Sequence, residues 1–167
     1  MAKKLYPLQQ VLLVKKDRVE KAEKVVQKKK QALTIEEDKL KKIEEARNLV
    51  LNHHNSKLAQ LREALDKGTT SNEVLQMKSY LKVVKEKLEK EEKKVETQQQ
   101  QVKIAKRDLQ EAQDHLKIKR VEEEKLSLHK EAWDKEVQAE LIKKEAKEQD
   151  EIGQIVYTSQ KKKQKES

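Results

Sequence analysis

Four histidines, many carboxylates and lysines, and two glycines are the first residues in this chain to invite a chemical reading. His53 and His54 are adjacent, so on a helix they point in different directions. His115 and His129 have no second histidine at the three- or four-residue spacing that puts two ligands on one helix face. Gly68 and Gly153 lie too far apart to form a phosphate-cradling loop, and no serine or cysteine sits in a nucleophile elbow. Carboxylates need a concave, water-poor pocket to shift their pKa values into a catalytic range, and a chain this poor in breakers and aromatics does not build one. The expectation is a protein that is not an enzyme, with no catalytic residues, no metal and no cofactor.

Charge is the next candidate for chemistry. The chain of 167 residues carries 40 Lys and Arg against 31 Asp and Glu, a net charge of +9, and is 43% charged but only 34% hydrophobic. Basic runs occur between Lys15 and Lys30 and in Lys161-Lys162-Lys163-Gln164-Lys165, which raises a phosphate-binding reading. Acids interrupt the first run, residues 131–151 hold eight acids against four lysines, and no aromatics alternate with the bases as stacking platforms would require. A nucleic-acid partner is therefore not expected. The longest apolar run is Val11-Leu12-Leu13-Val14, so membrane insertion is not expected either. The basic N-terminus lacks the apolar stretch and small-residue cleavage site of a signal peptide, and the absence of cysteine fits a reducing cytoplasm.

What positions these residues must be helix. One Pro, two Gly and no Phe leave too few turns and too little aromatic bulk for a sheet-based fold. The one cluster of breakers, Asp66-Lys67-Gly68-Thr69-Thr70-Ser71-Asn72, combines a helix-ending glycine with a capping box, Thr70 to Glu73. Pro7 suits a first helical turn, and Gly153 is the next stop signal. The sequence predicts an all-α protein of two long helices forming an antiparallel coiled-coil hairpin, with helix 2 longer than helix 1. Residues 1–156 form the single hairpin (helix 7–66, turn 67–70, helix 71–152), and 157–167 form a basic disordered tail.

Apolar residues recur at alternating steps of three and four along both segments, from Leu8 to Leu65 and from Val74 to Val137. A seam this narrow buries against one partner helix. The step from Arg47 to Leu51 is four where three is due, which locally unwinds a supercoil. With the turn centred near Gly68, a residue i lies opposite about 137 − i or 138 − i. Three polar seam positions then find opposite charges: Lys15 with Glu123, Lys29 with Asp108 and Arg47 with Glu91. Such pairs set register more than they add stability.

At about 1.5 Å per residue, helix 1 is roughly 90 Å long and helix 2 roughly 120 Å. Trp133 falls level with Tyr6 and Pro7, and helix 2 overshoots, carrying Leu141, Ile142, Ile152, Ile155 and Val156 beyond any partner. An unpaired amphipathic segment buries such groups in another molecule or frays. The start of helix 2 also holds more apolar residues than one seam uses, with Leu75, Tyr80 and Val83 left outside. From the residues alone the reading is a helical interaction protein. A free-standing coiled-coil scaffold or weak basic nucleic-acid binder is the alternative to an assembly component.

Several segments resemble the YscO/FliJ family of type III secretion proteins. They are Tyr6-Pro7-Leu8 with Val11-Leu12, Lys15-Lys16-Asp17-Arg18-Val19, Ala22-Glu23-Lys24-Val25-Val26, Gly68-Thr69-Thr70-Ser71, Lys82-Val83-Val84 and Leu128-His129-Lys130-Glu131 with Trp133. The resemblance implies a cytoplasmic, non-catalytic stalk at the cytoplasmic face of the secretion apparatus, similar to the coiled-coil shaft of rotary ATPases. Its implied partners are the hexameric secretion ATPase, secretion chaperones and the export-gate protein. Tyr6, Leu8, Trp133, Val137, Leu141, Ile152 and Ile155 become the expected ATPase-end contacts. Leu75, Met77 and Tyr80 become the expected chaperone or export-gate contacts. A monomer is expected, with a four-helix dimer burying Leu13, Leu75 and Tyr80 left open.

Overall fold

The computed structural model describes residues 3–166. Helix α1 spans Gln9–Lys67 and helix α2 spans Ser71–Lys165, 59 and 95 residues, with no strand among the described residues. The chain is thus all-α, two long helices folded as an antiparallel coiled-coil hairpin with the second arm longer. Pro7 lies in a turn just ahead of α1, where the Gln9 amide donates to the Tyr6 carbonyl at 3.1 Å and the first i to i+4 bond runs from Leu12 to Leu8 at 2.9 Å.

Gly68 makes the reversal. Its φ of +79° is left-handed, a region costly for any residue with a Cβ. The cap that starts α2 is half as expected. The Glu73 amide donates to the Thr70 hydroxyl at 3.4 Å, while the Glu73 carboxylate accepts from the Thr69 hydroxyl rather than reaching back to a backbone amide. Gly153 does not end α2, which runs on through it to Lys165, so the segment expected to be a disordered tail is helical. A single exposed glycine costs a helix only about 1 kcal/mol, and no proline or left-handed residue follows it to stop propagation.

The fold divides into two compact units: Ala22–Leu116, containing the turn, and a second made of the first 21 residues with those from Lys117 onward. In the turn unit, Ala22, Val26 and Leu61 of α1 are buried, as are Val84, Leu88, Val95, Val102 and Leu116 of α2. In the other unit, Leu12 is the most deeply buried side chain, at 2% exposed, beside Tyr6. Every buried helical residue falls on the seam that the three–four spacing defines, and no charged residue is buried among those described.

The two glycines predict opposite effects of the same change. Gly68→Ala lowers stability by about 1 kcal/mol or more, because alanine resists the left-handed conformation. Gly153→Ala raises helix stability by roughly 1 kcal/mol, since a Cβ there meets nothing within 4 Å. Thermal unfolding followed by circular dichroism checks both, and equal shifts of the same sign would contradict the assignment of the turn.

Candidate partner-binding surfaces

The polar seam positions show how each unit holds its register. Lys15 donates to Glu122 at 3.0 Å, and Lys119 approaches the same carboxylate at 3.6 Å. The cation thus meets the neighbour of the expected Glu123, whose carboxylate instead accepts from the Ser127 hydroxyl at 3.2 Å. In the turn unit the lock is Gln98, whose amide donates to both the Glu36 carbonyl, at 3.0 Å, and the Glu36 carboxylate, at 2.6 Å. With Glu36 facing Gln98 and His53 facing Tyr80, Arg47 falls level with residues 86 and 87, about a helical turn from Glu91. Arg47 accordingly donates to Asn48, and Glu91 takes Lys94 of its own helix at 3.2 Å. No salt bridge joins Lys29 to Asp108 among the described residues. Local partners win because they order fewer rotamers than a reach across the seam.

Two surfaces gather the residues expected to meet partners. At the open end, Tyr6 is buried, with its hydroxyl oxygen 2.5 Å from His129 Nδ1. Its ring lies 5.4 Å from Trp133 in an edge-on arrangement and 5.7 Å from the His129 ring. Beside this cluster Trp133, Val137 and Leu141 line a groove of about 590 Å³ together with Lys3, Lys4 and Lys144 and the acids Asp134 and Glu140. Lys4 reaches Glu140 at 3.5 Å in a solvent-exposed pair. Of the seven expected ATPase-end positions, the structure brings Tyr6 and Trp133 into contact and sets Val137 and Leu141 in the groove. Leu8 is exposed on the first turn of the chain, and Ile152 and Ile155 are exposed farther along α2, where every residue from Gln138 to Glu166 faces solvent.

Near the turn, Leu75 is exposed, Met77 half-buried and Tyr80 about half exposed. Tyr80 is held by His53, with the ring nitrogen Nε2 2.7 Å from the hydroxyl and the rings edge-on at 5.8 Å, and Lys57 lies 5.7 Å over the Tyr80 ring. Met77 and Tyr80 line a hollow of about 250 Å³ with Lys57, Gln60 and Gln76, while Leu75 lies outside it. His53 and His129, which sequence offers only as isolated histidines, and Lys57 act through tyrosines distant in sequence, a pairing that the heptad pattern does not report because it marks only the apolar members. No group of three or more potential metal ligands occurs among the described residues, and no helix among them is long and apolar enough to cross a membrane.

A family model described as YscO-like protein matches residues 3–163. The chain belongs to the YscO-like family. It is thereby a structural component of a type III secretion system. The structure of a YscO homolog from Chlamydia trachomatis is 48% identical, covering 97% of this chain and 99% of that one with a TM-score of 0.87. A chain in the structure of the Chlamydia pneumoniae CdsV and CdsO protein complex is also 48% identical, over 48% of this chain and 96% of that one, with a TM-score of 0.47. No curated protein matches.

Two seam carboxyls predict how this YscO-like protein responds to acid. Glu36 is held below the ordinary glutamate range chiefly by the Gln98 hydrogen bond and then by Lys39, and Glu122 chiefly by the Lys15 hydrogen bond. A lowered folded-state pKa gives stability that is present above the ordinary glutamate value and lost as pH falls through the lowered one. Glu122→Gln should therefore lower the melting temperature at pH 7, and the gap to the parent should close as the pH drops below about 4. A gap unchanged down to pH 2.5 would show that the Lys15 pair is not what the carboxylate contributes.

Proposed function

We propose that this chain is a non-catalytic central-stalk and adaptor protein of the cytoplasm. In this reading it binds the hexameric secretion ATPase through its open end and connects that enzyme to secretion chaperones and the export gate. The observation that carries the reading is the groove of Trp133, Val137 and Leu141, open to solvent and lined also by lysines and acids, at the place where α1 has ended and α2 continues alone. A hairpin with one arm longer than the other offers a ring-shaped partner an apolar anchor flanked by charges of both signs. The Tyr6–His129–Trp133 cluster keeps the two arms together at the point of engagement. Its action is mechanical and electrostatic, because stiff helices transmit position and the surplus of positive charge steers the chain toward acidic surfaces. The hollow at Met77 and Tyr80, with Leu75 beside it, serves the chaperone or export-gate contact.

Adding the purified chain to its secretion ATPase should raise the turnover of that enzyme, and Leu141→Asp should remove most of the effect. Leu141 is 42% exposed, so this change leaves the helices intact, as circular dichroism would verify. Trp133→Asp should do the same while also loosening the open end. Unchanged turnover together with failure to co-purify would reject the stalk in favour of a free-standing scaffold. At the other surface, Leu75→Asp with Tyr80→Ala should weaken capture of a chaperone or of the export-gate protein at least tenfold without altering ATPase stimulation. Loss of both activities together would show that the two surfaces are not separate.

A further inference from the structure

Helix α2 carries a second apolar seam that the hairpin does not use. The seam facing α1 ends at Val137, with Leu141 beside it in the open-end groove, and its continuation at the same three–four spacing is Glu140, Lys144, Lys147, Glu151 and Gln154, all polar. That is expected where α1 has run out. On the opposite side of α2, however, Val121, Leu128, Ile142 and Val156 fall on one line of seven-residue steps, interrupted by Lys135 and Gln149. Ala132, Ala139, Ala146 and Gly153 form a parallel line of seven-residue steps, three or four residues from the first, and Ile118 extends it upstream past Lys125. Together they make a three–four seam from residue 118 to residue 156, past the end of the first. Its large members are open to solvent: Ile118 is 57% exposed, Leu128 57% and Ile142 65%. Gly153 has no use within the chain, since a Cβ there would meet nothing within 4 Å and its backbone is helical.

We propose that this seam pairs with the same seam of a second copy of the chain, the two α2 helices running antiparallel about a two-fold axis at the level of Val137. In that register three large residues meet small ones: Val121 faces Gly153 of the second copy, Leu128 faces Ala146 and Ile142 faces Ala132. Ile118 faces Val156, Lys125 faces Gln149, and Lys135 lies against Ala139 with its long side chain free to reach solvent. A heptad repeat kept over this length marks a supercoiled partner helix, because a straight helix drifts about 20° per heptad away from such a line. The length is sufficient as well. At 1.5 Å per residue the seam runs roughly 58 Å, longer than the three or four heptads a coiled coil needs. A contact strip about 10 Å wide then buries on the order of 1,200 Å² over both copies, above the roughly 1,000 Å² of a specific interface. Acids flank the seam, with Glu131 near Glu145 of the other copy and Glu136 near its own counterpart, and each chain carries a net +9. Screening these like charges strengthens the pairing, so it tightens with salt, the reverse of binding to a polyanion. This interface needs nothing of the ATPase reading, because it lies on the side of α2 away from Trp133 and Val137.

Sedimentation equilibrium of the full chain between about 1 and 500 µM tests it. The mass should rise from 19.7 kDa toward twice that value, at lower concentration in 0.5 M than in 0.05 M NaCl. Ala146→Glu should weaken association at least tenfold, since it sets a charge against Leu128, while Lys144→Glu on the other face should not. Leu128→Ala and Ala146→Leu should each weaken it, and the two together should restore it by exchanging large for small. With no native cysteine, Ala132→Cys mixed with Ile142→Cys should give a thiol-cross-linked dimer, and Ala132→Cys alone should not. A 19.7 kDa mass throughout, additive rather than compensating size exchanges, or ready self-cross-linking of Ala132→Cys would each overturn the proposal.

Discussion

A single file of apolar side chains between two helices is the constraint on which everything else in this protein depends. With 43% of its residues charged, the chain has too few hydrophobes to surround a core, and two helices sharing one seam is the arrangement that needs the fewest. Leu12, Val26, Leu61, Val95 and Val102 are buried because each looks directly at the other arm, while residues one position away are already in solvent. Stability is then a sum of local layers with little help from depth. Such a fold tolerates change on most of its surface and has few ways to compensate a lost layer.

A seam of interchangeable aliphatic residues could slide by a heptad at little cost, so its polar members carry the specificity. Gln98 satisfies both the carbonyl and the carboxylate of Glu36, and Lys15 finds Glu122 with Lys119 beside it. A slipped register would leave these groups facing aliphatic neighbours without their hydrogen-bond partners. The pairs therefore penalise the wrong alignments more than they reward the right one, the role best attested for polar residues in coiled coils. The bonds differ between the units: half-buried Lys15 finds an acid across the seam, whereas Arg47, also half-buried, donates to Asn48 of its own helix.

The helices, the turn at Gly68 and the buried face were legible in the sequence because each follows from short-range rules: spacing, a left-handed glycine and a cap. Partner identities across the seam were less so. Lys15 was read against Glu123 and meets Glu122, since a four-carbon side chain spans several positions and periodicity fixes only the level. Arg47 is displaced by about a turn because the register on both sides of it, marked by His53–Tyr80 and Glu36–Gln98, already differs by three to five positions from the extrapolation out of Gly68. The Tyr6–His129 and Tyr80–His53 contacts escaped for another reason. Each joins residues more than 25 positions apart in which neither member is a strong signal alone, and only the fold makes the pair. The continuation of α2 beyond Gly153 was hidden by weighting a lone glycine as a stop, when a helix ends only if something competes for its backbone.

The unequal arms give α2 two different relationships with its surroundings. Up to Val137 one of its faces is committed to α1, and beyond Leu141 the seam positions of that face, Lys144, Lys147, Glu151 and Gln154, are polar, as befits a face whose partner helix has ended. The opposite face keeps its seven-residue lines of large and small residues through that boundary unchanged, so its purpose cannot be to pack the hairpin. Solubility alone would favour lysine and glutamate at those positions, as at Glu140 and Lys144 on the vacated face. An exposed row of alanines ending in a glycine admits the close approach of another helix, and isoleucine, leucine and valine at the intervening positions supply what such an approach would bury. One helix can thereby serve the internal fold on one side and an external helix on the other, with neither contact requiring the other to break.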